Sequence, residues 1–429
     1  MEPVLPKHMA KCHSCAPLQG NRLRTHLIVK QKTCVTLRRD DQSWLGRAIL
    51  YPRRHLSTPE EFFNANEHAD FLDLHETRNR LDRVYKHCFP MIYSNEAQLG
   101  NLTLNEKGDV TNLVRYQHMH CHYIPRYDLS FEFAGFKFHD TQFGKALNID
   151  PEHGHVKVVV PPLVMKLFKD TIQESFIEKG LLDHPNDILH SGPSVEVINK
   201  LAEKNLCLAI PGCRLTLVRH GATDCNKANE ERLQGTTDVP LNDSGLEQAE
   251  LTRIDLSQRE FAAAYSSTLK RALTTAEIIT NKKSLPITQS PFLVEASMGN
   301  WEGRTKAEYE RWCAKQPQPK LPKADSGDSV EGDQEIADYL NYKFDNCVES
   351  SGEVFKRFKQ FLSGHAAKHI GQNILVVAHG GNIRALIDHC YFSPLYTPVV
   401  ANCARVELFY SQSGELSISG IHRITWKKR

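Results

Sequence analysis

The sequence predicts two domains, the second of them an α/β layer built on a largely parallel sheet flanked by helices. Three observations carry this expectation. The chain has 429 residues, and a single hydrophobic core seldom grows past about 250 to 300 residues before a chain divides. Leu215-Thr216-Leu217-Val218 is an apolar, β-branched run that stops abruptly at Arg219-His220-Gly221. Ile374-Leu375-Val376-Val377-Ala378 repeats the design and stops at His379-Gly380-Gly381, just before a helix expected near Asn382. Short continuous apolar runs of this kind read as strands covered on both faces, and ligands collect beyond the carboxyl ends of such strands. His220 and His379 stand at those ends.

The residue types there point to phosphate chemistry. A neutral imidazole is a nucleophile toward phosphorus, because an ordinary value near 6.5 leaves it largely deprotonated at neutral pH. A phosphate dianion carries about −1.5 to −2 charges, so Arg219 alone does not balance it and further basic groups are needed. One follows the apolar strand expected over 261–265: Ser267-Thr268-Leu269-Lys270-Arg271-Ala272 opens a helix through about Asn281, with Arg271 near its amino end. Glu295 offers a carboxyl group as proton donor to a leaving oxygen.

Taken in order, these motifs resemble the histidine phosphatase superfamily, also called phosphoglycerate-mutase-like. After Arg219-His220-Gly221 come Thr223 and Asn226, Arg232-Leu233-Gln234-Gly235, Gly245-Leu246-Glu247-Gln248-Ala249, the Arg271 segment, Glu295 ahead of Gly299-Asn300-Trp301-Glu302-Gly303, and His379-Gly380-Gly381. The resemblance implies that His220 takes up the phosphoryl group, that Arg219, Asn226, Arg271 and His379 bind it, and that Glu295 acts as acid and then base, with no metal required. The short spacer from Glu295 to Trp301 looks more like the phosphatases than the mutases, so hydrolysis is preferred and mutase chemistry is the alternative.

Composition excludes several other classes. A net charge of +2 argues against a surface that coats nucleic acid. No apolar run approaches the 18 or so residues of a membrane span, and the start of the chain lacks a secretory apolar stretch. Of twelve cysteines only Cys12 and Cys15 are closely paired. That usage reads as reduced thiols in a cytoplasmic compartment rather than a disulfide framework.

In the first half, Gln117-His118-Met119-His120-Cys121-His122 alternates histidines with apolar residues, which on a strand places His118, His120 and His122 on one face. Three imidazoles so placed make sense around a metal or an anion. The pattern, with Pro125-Arg126 after it, resembles the histidine-triad (HIT) family, and likenesses at 43–55, 95–101 and 133–144 extend it over roughly residues 10 to 175. The resemblance implies an α+β domain with an antiparallel sheet, a nucleotide as substrate, His120 as the nucleophile toward its α-phosphorus, and His122, Gln117 and Asn101 as polar contacts. It also implies a structural Zn2+ held by Cys12, Cys15, His55 and His118, the closed Cys2His2 set that structural zinc prefers, and a homodimer. The polar stretch from Leu102 to Gln117 is longer than the link expected there.

A helix is expected after Thr58, which can cap it, with Pro59 and Glu61 suited to its first turn and Leu74, Leu81 and Val84 on its buried stripe. A closing helix is expected over 161–176. The domains are accordingly set at 1–180 and 213–429, with 181–212 as linker. The preferred reading is a bifunctional enzyme, a HIT-type nucleotidyl hydrolase or transferase joined to a phosphomonoesterase. The alternative makes the first half a zinc-stabilised nucleotide-binding module without turnover.

Overall fold

The computed structural model describes residues 27–31, 33–37, 42–52, 68–99, 120–144, 158–183, 211–226, 230–281, 285–322 and 330–429. The chain divides into two units, Met1–Ser191 and Gly192–Arg429. No helix among the described residues is long and apolar enough to cross a membrane.

The first unit is a five-stranded antiparallel sheet. Its strands are β1 (Leu27–Lys30), β2 (Thr33–Leu37), β3 (Ala48–Pro52), β4 (Met91–Leu99) and β5 (His120–Tyr127), in the spatial order β1-β2-β3-β5-β4. Helix α1 (His68–Cys88) leads into β4, and α2 (Pro162–Glu178) follows a small hairpin of β6 (Phe131–Phe133) and β7 (Phe136–Phe138). Leu74, Leu81 and Val84 of α1 are buried, as the sequence periodicity requires. Tyr85 packs edge-on against Tyr123 of β5 and Phe168 of α2, so both helices share one aromatic core. Proline suits the first turn of α2, since its missing N–H would have no helical partner there.

Side-chain alternation puts His120 and His122 on the face of β5 opposite Tyr123. Both are buried, and their rings lie 5.1 Å apart. Farther along the strand, Arg126 forms an ion pair with Asp140, Nε to Oδ2 at 2.6 Å, with both side chains fully enclosed. Trp44 Nε1 donates to the same carboxylate at 2.9 Å. Removing one partner of such a pair strands a buried charge and costs about 3–5 kcal/mol, so this bracket ties the loop before β3 to the segment after β7.

The second unit is a six-stranded mixed sheet of β8 (Gly212–Arg219), β9 (Ala263–Ser267), β10 (Ile287–Ser290), β11 (Asn373–Ala378), β12 (Tyr396–Ser411) and β13 (Leu416–Lys428). The order is β10-β9-β11-β8-β12-β13; the first four run parallel, while β12 is antiparallel to both of its neighbours. Its helices are α3 (Asp243–Asp255), α4 (Lys270–Ile279), α5 (Lys306–Cys313), α6 (Val330–Asn341), α7 (Ser351–Gly364) and α8 (Gly380–Cys390). Leu215, Leu217, Val218 and Ile374 to Ala378 are all buried, as expected of strands covered on both faces. Ala378 lies opposite Arg219 in the register of β11 and β8. That register brings the two His-Gly ends side by side.

Candidate active site

Each residue of the second-unit site sits where a strand or helix ends. His220 follows β8 and is 1 % exposed; His379 follows β11 and is fully buried. Their rings meet edge to face, with centroids 5.0 Å apart. His220 Nδ1 lies 2.7 Å from the carbonyl oxygen of Gly221, an acceptor only, so Nδ1 carries the proton and Nε2 keeps its lone pair. Burial, then the positive charges of Arg219 and Arg271, holds the His220 imidazolium form well below its usual range. Burial likewise lowers His379, with His220, Arg271 and Arg219 adding to the effect. Both rings are neutral at pH 7, and the Nε2 of His220 carries a lone pair rather than a proton.

Four buried nitrogen atoms around this pair have no partner in the structure: Arg219 Nε, Arg271 Nε and both ring nitrogens of His379. A buried polar atom without a hydrogen bond is costly, and such a concentration at one place marks an anion's seat. Arg219 is steadied by Nη1 donating to the Val400 carbonyl at 2.6 Å. Arg271, at the start of α4, is fully enclosed and donates to the carbonyls of Thr237 and Gly235 at 2.7 and 2.8 Å. Asn226 Oδ1 accepts from the Thr223 N–H, the Thr223 hydroxyl and Asn402 Nδ2. Its remaining capacity is therefore the donor Nδ2, the polarity that an anion needs.

Glu295 lies beside the amino end of α8. Its Oε1 accepts from the Gly381 N–H at 3.0 Å and from the Ala296 N–H at 2.8 Å. A methyl group on Gly381 would stand 2.2 Å from that oxygen, so only glycine lets the carboxylate reach the helix end. A second close approach fixes the loop after His220. A Cβ on Gly221 would meet the Gly245 carbonyl oxygen at 2.4 Å, and one on Gly245 would meet the Ala222 oxygen at 2.0 Å.

His220, Arg219, Asn226, Arg271, Glu295 and His379 thus fall on the same end of one sheet. In the first unit, His120 and His122 are neighbours on β5. Gln117, Asn101, Cys12, Cys15, His55 and His118 lie outside the described residues, as do Thr58, Pro59 and Glu61. Among the described residues no group of three or more His, Cys, Asp or Glu side chains is placed to hold a metal ion.

Two positioning residues, and the role of a third, escaped the sequence reading. Arg357 of α7 makes a two-pronged ion pair with Glu349, at 2.6 and 2.8 Å, and donates from Nη1 to the carbonyls of Phe292 and Val294 at 3.0 and 3.1 Å. It staples down the segment that carries Glu295. Asn402 lies in a bulge of β12, beside Cys403 with its positive φ, and its Nδ2 and the Cys403 N–H both donate to the His220 carbonyl at 3.3 Å. Glu302 collects N–H and hydroxyl donors from Thr236 and Thr237 and the Met298 N–H. Burial pushes its carboxyl up, but those donors outweigh the burial and hold it below the usual range. The turn it grips is the one whose carbonyls receive Arg271.

Two outcomes follow from this geometry. Arg357→Ala leaves the substrate's anion contacts in place but frees Glu295, so kcat should fall about 10- to 100-fold with KM little changed, and Arg357→Lys should recover only part of the loss; equal effects on kcat and KM count against the assignment. The second concerns acid stability. Because the folded values of His220 and His379 are depressed while the unfolded value is about 6.5, the unfolded chain binds protons that the folded chain refuses as pH drops. Stability contributed by these rings is whole above pH 6.5 and is lost below it. His379→Gln should flatten the slope of unfolding free energy by up to about 1.4 kcal/mol per pH unit below pH 6, measured by urea denaturation between pH 5 and 8.

Comparison with known proteins agrees with this geometry. The profile described as the histidine phosphatase superfamily, branch 1, matches residues 215–416. Phosphoglycerate mutase-like protein 4 of Arabidopsis thaliana is 34% identical over 176 residues, covering 41% of this chain and 69% of that protein. A 2,3-bisphosphoglycerate-dependent phosphoglycerate mutase of Cytophaga hutchinsonii is 31% identical over 185 residues, 41% of this chain and 76% of its own. Phosphoserine phosphatase 1 of Hydrogenobacter thermophilus is 30% identical over 181 residues, 40% of this chain and 74% of its own. Residues 1–214 stand outside the profile. Through its second unit the chain belongs to the histidine phosphatase superfamily, branch 1.

Proposed function

We propose that the second unit is a phosphomonoesterase that works through a phosphohistidine on His220. The observation that carries this reading is the neutral His220, its Nε2 lone pair set among Arg219, Arg271 and His379, where Arg219 Nε, Arg271 Nε and both His379 ring nitrogens are buried without a protein partner. Nε2 attacks phosphorus as the ester P–O bond breaks, and Glu295 gives its proton to the departing alkoxide. A water molecule then loses a proton to Glu295 and attacks the phosphohistidine. The P–N bond breaks, inorganic phosphate leaves, and the histidine is neutral again. Arg219, Arg271, the Asn226 amide and His379 compensate the charge that grows on the equatorial oxygens in both steps.

Relatives of similar identity are named as mutases and as phosphatases. A mutase would pass the same phosphoryl group to a second hydroxyl of the substrate instead of to water. The compact path from Glu295 to the short helical turn Gly299–Trp301 leaves little chain to shut water out, which favours hydrolysis. A small phosphomonoester is the substrate class. Full-length protein given phosphoserine should release inorganic phosphate, and given a phosphoglycerate should yield phosphate rather than the positional isomer. Rapid quenching in base should trap label on the protein, and His220→Ala should lose both label and turnover by at least 1000-fold; residual turnover within tenfold of wild type defeats the proposal.

For the first unit we infer a nucleotide-handling module. Support comes from His120 and His122 buried side by side on one strand of an antiparallel sheet flanked by two helices, together with the sequence likeness already described. Cys12, Cys15, His55 and His118 are its proposed zinc ligands. Turnover through a nucleotidyl adduct on His120 and simple nucleotide binding are separated by one measurement. Incubation with an α-phosphorus-labelled dinucleotide, acid-stable controls included, should label wild type and leave His120→Ala unlabelled; equal absence of label in both assigns the unit to binding alone.

A further inference from the structure

The second unit has a cavity of about 760 Å³ at the end of the sheet away from His220 and His379. It is bounded by α7, the carboxyl end of α8 and the turn between β12 and β13. Tyr410, on its wall, pairs with Cys213 at the amino end of β8, while His220 follows the carboxyl end of that strand. Along β8 the two places are separated by roughly 20 Å, and along α8 by about 15 Å. The volume lies in the range of small-molecule sites.

Its chemistry is one-sided. Phe355, Lys356, Lys359 and Ser363 line it from α7, at spacings that put them on one helical face. Both lysines are exposed at the rim, and neither forms an ion pair with any described residue, although Lys343 and Arg357 nearby are paired to Glu353 and Glu349. No Asp or Glu lines the cavity. Two like charges three residues apart repel unless an anion lies between them. Deeper in, the His389 ring stacks on Phe355 with centroids 4.4 Å apart and planes 18° from parallel, and Leu416 and Tyr410 continue the apolar wall. His389 Nδ1 lies 2.8 Å from the Ala385 carbonyl and donates to it, so its Nε2 remains an acceptor at neutral pH.

We propose that this cavity is a second ligand site, for a small planar organic anion whose charged group meets Lys356 and Lys359 and whose ring lies against the Phe355–His389 stack. It does not depend on the reaction assigned to His220. The test uses the full chain and the aromatic sulfonate 8-anilinonaphthalene-1-sulfonate, whose fluorescence rises in apolar surroundings. Saturable binding is expected, with Lys356→Gln/Lys359→Gln weakening it at least tenfold, Ser363→Trp abolishing it by filling the rim, and His220→Gln leaving it unchanged. Circular dichroism checks that each variant keeps its fold. Titrations that coincide for wild type and the lysine double variant, a signal lost in His220→Gln, or no saturable binding in wild type overturns the proposal.

Discussion

The constraint on which the second unit depends is the parallel register of β8 and β11, which ends two strands level and sets two imidazoles against each other under two arginines. Nothing about that arrangement is stable in isolation. Rings that must stay neutral and guanidinium nitrogens without partners are held together in a buried place, against the usual cost of burying polar groups. The expense is borne by the rest of the sheet, whose apolar strands are packed on both faces. In the proposed reaction an incoming phosphate would supply acceptors for these donors, so the same unsatisfied atoms that burden the fold would become preorganised contacts.

Around that pair, the framework works by gripping main chain. Arg357 holds carbonyls of the Glu295 segment, Arg271 holds carbonyls of the 235–237 turn, and the bulge of β12 holds the carbonyl of His220. Glu302 closes the circuit by fixing the same turn from its N–H side. The reacting groups are therefore positioned by side chains that need not touch the substrate.

This division explains what could be read from the sequence. His220 and His379 were legible because each lies where an apolar run ends in a polar, glycine-containing break, Arg271 because it opens the helix after an apolar strand, and Glu295 because the ordered motifs frame it. Arg357, Asn402 and the role of Glu302 were not, because their partners are backbone atoms brought near only by tertiary folding; no periodicity marks an arginine aimed at a carbonyl 65 residues away in the chain. The start of α2 and the buried stripe of α1 were legible from proline and from spacing, whereas α2 runs two residues past the expected end, to Glu178. In the first unit the alternation of His120 and His122 gave their common face, while the family match speaks only for residues 215–416.

The strand order β10-β9-β11-β8-β12-β13 has a consequence for how the chain is made. β8 and β9 are synthesised early and are not neighbours; β11, more than a hundred residues later than β9, must slide in between them. Until Asn373–Ala378 has left the ribosome, β8 has no partner strand and the β9–β10 pair keeps a bare edge, the exposed kind that invites pairing with other chains. Closure over such long sequence separations is slow. The unit's most hazardous interval thus runs from the synthesis of β9 to that of β11, and chaperone protection would be worth most there.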